Sequence, residues 1–153
     1  MTNVHALSEV LDPASVRIRR RIEWIDTDAA GIYHWTTVCR LAEAAEAVLH
    51  TALGIEDRTF GVTPRVAVRF DFRRPLRFND VVDVVLTVSA LGRSSVSYVV
   101  QVDGPDGLAA EGELTAVFID RQSGRATAWP EDLRRRLTES GLQEPPAADQ
   151  SLV

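Results

Sequence analysis

The stretch Val16-Arg17-Ile18-Arg19-Arg20-Arg21-Ile22-Glu23-Trp24-Ile25-Asp26-Thr27-Asp28-Ala29-Ala30-Gly31, with the alanine-rich run that follows it to Leu53, decides the fold. Its first part alternates. Val16, Ile18, Ile22 and Trp24 fall on one side, and Arg17, Arg19, Arg21 and Glu23 on the other. That period of two predicts a strand with one face buried. Arg20 interrupts the apolar side, so the face is not expected to be sealed along its whole length. Asp26 to Gly31 then read as a turn-rich break. A helix is predicted from Tyr33 to Leu53. Val38, Leu41, Ala42, Ala45, Val48, Leu49 and Ala52 recur on one stripe at helical spacing, and Gly54 supplies a stop.

Downstream, four strand candidates follow. Val66, Val68, Phe70 and Phe72 alternate with Arg69, Asp71 and Arg73. Val82, Val84, Leu86 and Val88 lie in a nearly continuous apolar run. Val96, Tyr98, Val100 and Val102 alternate with polar residues, as do Leu108, Ala110, Leu114, Ala116 and Phe118. The connectors Phe78-Asn79-Asp80, Leu91-Gly92-Arg93 and Asp103 to Gly107 are short, which favours hairpins and an antiparallel meander. A further turn at Asp120 to Gly124 is expected to lead to a short last strand ending at Trp129. Pro130-Glu131-Asp132 opens a final helix, with proline at its first position and acids in its first turn. The order is strand, long helix, then antiparallel strands. This predicts an α+β fold, one long helix against a curved antiparallel sheet of five to six strands, with a short C-terminal helix. A doubly wound parallel sheet does not fit, because only one helix of useful length separates strands. The expected division is a lead-in over 1–15, one domain over 16–141 and a flexible tail over 142–153.

A chain of 153 residues suits one domain with one core. The net charge of −5 gives no global basic field for nucleic acid or an anionic membrane. No segment is apolar for long enough to span a bilayer, and no signal-peptide pattern opens the chain. A single cysteine, Cys39, excludes an intramolecular disulfide and fits a reducing cytoplasm. His5, His34 and His50 show no metal-ligand spacing, so no metal or cofactor is expected.

Asp28 is the leading candidate for chemistry. It sits at the hinge between the first strand and the long helix, where the helix's first turn presents unpaired N–H groups and a positive dipole end. A carbonyl oxygen placed there is polarised as negative charge develops on it. A neighbouring carboxylate can attack that carbonyl or activate a water. Gly31 allows a tight turn or the close approach of a ligand.

The segment Glu23 to Trp35 resembles the signature of the 4-hydroxybenzoyl-CoA thioesterase family of hotdog-fold proteins: an aromatic residue, Asp-x-Asp-x-x-Gly-hydrophobic, then a long helix with a mid-helix glutamate, matched here by Glu43. Phe72 to Asp80 and Leu91 to Ser95 resemble that family's approach to its third strand and its basic hairpin turn. The resemblance covers Val16 to Arg135 and implies a hotdog-fold thioesterase acting on an acyl-CoA or acyl-carrier thioester, with CoA as part of the substrate. It implies Asp28 as nucleophile or general base, and Trp35 as donor of the N–H that polarises the thioester carbonyl. It also implies substrate contacts from Gly31, Ile32, Tyr33, Arg93 and Ser94, and a homodimer or homotetramer with shared sites. One departure concerns His34. The Tol-Pal-associated branch carries Tyr-His where this chain has His34-Trp35; here Tyr33-His34 stands one place earlier, about 100° away on a helix.

Each residue also has a plainer explanation. Asp28 can be a helix cap and Asp26 a turn-former. His34 is either a base or substrate contact, or a hydrogen-bonded structural residue. Glu43 is either polar helix surface or a buried acid shaping the site. Cys39 is read as a small packed residue, and Arg93 as either a CoA contact or a solvated turn residue. Two functional rivals remain: a hotdog dehydratase acting on hydroxyacyl thioesters, with His34 as its base, and a non-catalytic acyl-thioester-binding module.

Overall fold

The computed structural model describes residues 11–150. The remaining parts of the expected lead-in and tail, 1–10 and 151–153, lie outside them. Strand β1 (Ser15–Arg21) runs into a 3-10 turn (Trp24–Asp26) and a loop, then helix α1 (Thr37–Leu53). One-turn α2 (Glu56–Thr59) leads to β2 (Arg65–Phe72), β3 (Val81–Leu91), β4 (Ser95–Gly104) and β5 (Gly107–Val117). Helix α3 (Glu131–Glu139), the two-residue strand β6 (Leu142–Gln143) and α4 (Ala147–Gln150) complete the described chain.

The strands form one sheet in the order β2-β5-β4-β3-β1-β6. All pairs are antiparallel except β1 with β6. Period-two patterning gives β3 and β4 one inward face, where Val82, Val84, Leu86, Val88, Val96, Tyr98, Val100 and Val102 are buried. The helix lays Val38, Leu41, Ala42, Ala45 and Leu49 on that face. Each such Leu or Val contributes about 1.5–3 kcal/mol by leaving water. One long helix on one face of a six-stranded sheet is the α+β, hotdog arrangement the sequence predicts.

Several local expectations are corrected. The helix begins at Thr37, not Tyr33, because tertiary bonds claim the intervening backbone: Tyr33 N–H donates to Leu76 O at 2.8 Å, and Thr27 bridges Tyr33. Trp24 is 78% exposed, because β1 ends at Arg21 and the chain turns. Strands β2 and β3 do not form a hairpin. Both sides of β3 are occupied, by β1 and β4, so β2 pairs instead with β5. Residues 73–80 are therefore a crossover, anchored by buried Leu76 and by Arg73 and Arg74 N–H groups on Ala109 O. Val66 and Val68 are 60% and 50% exposed, because β2 is an edge strand that α1 does not cover. No strand ends at Trp129; a lone bridge joins Ile119 and Ala126, and Trp129 stacks on Phe118 at 4.6 Å.

Arg20 does stand on the core face, opposite Val82. Its guanidinium is only 14% exposed and pairs with Asp149 of α4 at 2.5 Å. The C-terminal segment thus closes the sheet end that the sequence left unsealed, and Leu142 and Gln143 pair with β1.

Candidate active site

The site is built where β1 hands over to α1. Asp26 organises this junction. It is 4% exposed. Its Oδ2 accepts the Glu23 N–H at 2.7 Å, and Arg40 grips the carboxylate through Nε at 3.0 Å and Nη2 at 2.7 Å. Its carbonyl oxygen accepts the His34 N–H and, at 2.9 Å, the Thr37 hydroxyl.

From there the chain makes a small closed loop. Asp28 N–H donates to Ile32 O at 2.9 Å and Gly31 N–H to Asp28 O at 3.0 Å. Gly31 has φ +79°, and a Cβ there would meet nothing within 4 Å. The glycine is therefore required by the turn itself rather than by a neighbouring atom. Asp28 is exposed. Its Oδ1 accepts the Ala30 N–H at 2.8 Å, a turn of the kind aspartate favours, and its Oδ2 has no bond among the described residues. Asp28 does not cap α1.

The loop then rises through Tyr33, whose ring is buried against Phe72 at 5.9 Å. Its hydroxyl donates toward the Arg74 and Ala109 carbonyls at 3.2 and 3.3 Å, and burial raises its pKa. A phenol so held stays protonated at neutral pH and acts as an anchor. His34 accepts the Thr36 N–H on Nδ1 at 3.2 Å, and its ring lies 5.4 Å from that of Trp35, tilted by 34°. The imidazole thereby satisfies a donor at the start of α1. Trp35 is 65% exposed, and its N–H has no hydrogen-bond partner among the described residues.

A groove of about 520 Å³ opens here, lined by Asp28, Ile32, Tyr33, Trp35, Phe72, Arg73, Arg74 and Pro75. It brings together four of the residues singled out from sequence. Gly31 lies in the same loop, and His34 is not among the lining residues. Phe72 to Pro75 are groove walls that sequence reasoning did not assign; only the crossover, invisible as spacing, brings them beside Asp28.

Glu43 is elsewhere. It lines a second groove of about 450 Å³ with Glu46, Phe60 and Arg65. The first groove touches the Phe72 end of β2 and the second the Arg65 end. In the second, burial raises the carboxyl pKa of Glu46, although Arg65 bonds it at 2.6 Å. Arg93 and Ser94 occupy the β3–β4 turn. Asp28 follows the Arg21 end of β1, which pairs with Val81 at the other end of β3. An eleven-residue strand separates them, about 33 Å. Within one chain, Arg93 and Ser94 do not meet the Asp28 groove. Cys39 is exposed rather than packed. Among the described residues no group of three His, Cys, Asp or Glu is placed to hold a metal.

One long helix on one face of a six-stranded sheet is the hotdog arrangement. The chain belongs to the Thioesterase-like superfamily, which matches residues 21–137. It is 26% identical over 127 residues to a 1,4-dihydroxy-2-naphthoyl-CoA hydrolase of Synechococcus elongatus, covering 79% of this chain and 93% of that protein. The fold is shared with a 1,4-dihydroxy-2-naphthoyl-CoA thioesterase from Synechocystis (TM-score 0.71, 19% identity, covering 82% and 96% of the two chains). It is shared also with a 4-hydroxybenzoyl-CoA thioesterase in complex with 4-hydroxybenzoyl-CoA (TM-score 0.69, 21% identity, covering 81% and 99%). No helix among the described residues is long and apolar enough to cross a membrane.

Proposed function

We propose that this protein hydrolyses the thioester of an aromatic acyl-CoA in the Asp28 groove. The observation that carries the reading is the pairing of two unsatisfied groups on one loop: the free Oδ2 of Asp28 and the unbonded Trp35 N–H. The Trp35 N–H receives the thioester carbonyl oxygen, and negative charge developing on that oxygen strengthens the bond. Asp28 either attacks with its own Oδ2, giving an acyl anhydride that water then cleaves to free acid and carboxylate, or deprotonates a water that attacks the carbonyl. The C–S bond breaks and CoA leaves as the thiolate. Trapping of an acyl group on Asp28 in rapid-quench single turnovers, or ¹⁸O from labelled water appearing in Asp28, identifies the anhydride route. Tyr33, Trp35 and Phe72 offer aromatic walls, in keeping with the aryl-CoA substrates named for the relatives. The dehydratase alternative needs a histidine at the groove, and His34 neither lines it nor has Nδ1 free.

The minimal unit we propose is a homodimer; a tetramer would pair such dimers. Strand β2 has an unpaired outer edge and exposes Val66, Val68 and Phe72. Two β2 strands related by a two-fold axis run antiparallel, so the Phe72 end of one lies by the Arg65 end of the other. That places the partner subunit's Glu43 groove beside the Asp28 groove and makes each site shared. The exposed, unpaired Cys39 suits a reducing cytoplasm.

The test is hydrolysis of benzoyl-CoA and 4-hydroxybenzoyl-CoA, followed by loss of thioester absorbance. Asp28→Asn keeps the Ala30 bond and lowers kcat by about 10²–10⁴-fold. Glu43→Gln is also impaired. Co-refolding the two variants restores activity toward a quarter of wild type, because a mixed dimer holds one intact shared site. An Asp28→Asn enzyme at full rate rejects the mechanism, and absent complementation rejects the shared site.

A further inference from the structure

We propose that Asp26 and Arg40 are positioning residues that set the spacing of Asp28 and Trp35; this rests on the thioesterase reading above. The sequence marks Asp26 only as a turn-former. The structure gives it bonds in three directions. Its carboxylate reaches back to the Glu23 N–H and forward to Arg40 in α1, and its carbonyl holds the His34 N–H and the Thr37 hydroxyl. Residue 26 therefore ties both ends of the segment 27–36 that carries the two reacting groups. The loop is closed by the Thr27–Tyr33 bridge and the Asp28–Ile32 bond, and Tyr33 ties its far side to the crossover through Leu76 O. Its direction relative to α1 depends on the planar fork between Arg40 and Asp26, a geometry a single ammonium cannot reproduce.

The plainer explanation is an ion pair that contributes stability alone. Exposure favours the positioning role. The Arg40 side chain is 46% exposed while Asp26 is buried, so the cation is partly screened and its attraction is discounted as a source of stability. What the fork supplies without discount is orientation.

Arg40→Ala, Arg40→Lys and wild type are compared with benzoyl-CoA as probe. In Arg40→Ala, kcat falls on the order of 10²-fold, the loss expected for reacting groups misplaced by about 1 Å, while KM changes by less than about threefold. Free guanidinium at millimolar concentration enters the vacated, solvent-open position and restores several-fold of the lost kcat. Arg40→Lys is folded, keeps the charge without the fork, and stays well below wild type. An Arg40→Ala enzyme that loses thermal stability but keeps kcat, or whose kcat guanidinium leaves unchanged, overturns the proposal. Hydrogen exchange supplies a readout independent of turnover. Amides of 27–36 exchange faster in Arg40→Ala while those of β3 to β5 do not change; unchanged exchange over 27–36 overturns the proposal as well. If wild type fails to hydrolyse aryl-CoA but this exchange pattern holds, the thioesterase reading falls and the positioning pair stands.

Discussion

Acidification should unlock the interior at His50. This residue is 1% exposed in the last turn of α1. Its Nδ1 lies 2.6 Å from Thr59 Oγ1 and its Nε2 lies 2.8 Å from the Tyr98 hydroxyl. Thr59 already donates to Ile55 O at 3.1 Å, so its oxygen accepts the Nδ1–H, and Nε2 accepts from Tyr98. The relay engages both ring nitrogens and holds a neutral imidazole. Burial, with the Arg65 charge nearby, lowers the His50 pKa from 6.5 to about 4. The unfolded chain thus binds a proton near pH 6.5 that the folded chain refuses until about pH 4. Stability is whole above pH 6.5 and is lost as pH falls toward 4. Integrating that difference gives a loss of about 2 kcal/mol between pH 7.5 and pH 5. Glu46 acts in the opposite sense, since its raised pKa lets the folded state take up protons first. A His50→Gln variant isolates the histidine, because Gln can accept from Tyr98 and donate to Thr59 but does not titrate. Urea unfolding at one fixed protein concentration, at both pH values, should show wild type losing about 2 kcal/mol more than His50→Gln. Equal losses would refute the neutral, buried relay.

Two glycines give further expectations. A Cβ at Gly112 would stand 2.0 Å from the Arg69 carbonyl oxygen across the β2–β5 pair, so Gly112→Ala should destabilise the sheet by about 3 kcal/mol, read as a lowered denaturation midpoint. Gly31→Ala meets no atom but must hold φ +79°, at a cost of about 1–2 kcal/mol confined to the loop. It should lower kcat and lower the melting temperature by about 2–8 °C, as steady-state kinetics and calorimetry can check.

The elements legible in the sequence are those whose pattern repeats. Strands β3 and β4 alternate because a single sheet face is buried, and α1 shows its stripe because one side meets that sheet. What was not legible depends on pairing between distant segments. Phe78-Asn79-Asp80 looks like a hairpin turn locally, yet β2 belongs beside β5, and no local signal encodes that choice. The groove wall at Phe72 to Pro75 was hidden for the same reason. Arg20 was a readable anomaly whose answer, Asp149, lies 129 residues away. The helix start was misread because Tyr33 has helical spacing but spends its N–H on Leu76.

The two aspartates of the loop show why residue type and spacing alone do not assign chemistry. Asp26 and Asp28 are two positions apart and of one residue type, though the sequence reads the first as structural and the second as the candidate for chemistry. The fold gives them opposite surroundings. Asp26 is buried, and four polar contacts from Arg40 and the Glu23 amide occupy both of its oxygens. Every lone pair a nucleophile would use is directed at the protein. Asp28 is exposed, lines the groove and spends one oxygen on Ala30, and its other oxygen has no bond among the described residues. The same difference marks Trp35: its N–H has no partner among the described residues, whereas His34 N–H is taken by Asp26 and Thr36 N–H by His34. Asp26 spends both of its oxygens on the protein, and Asp28 keeps one unspent.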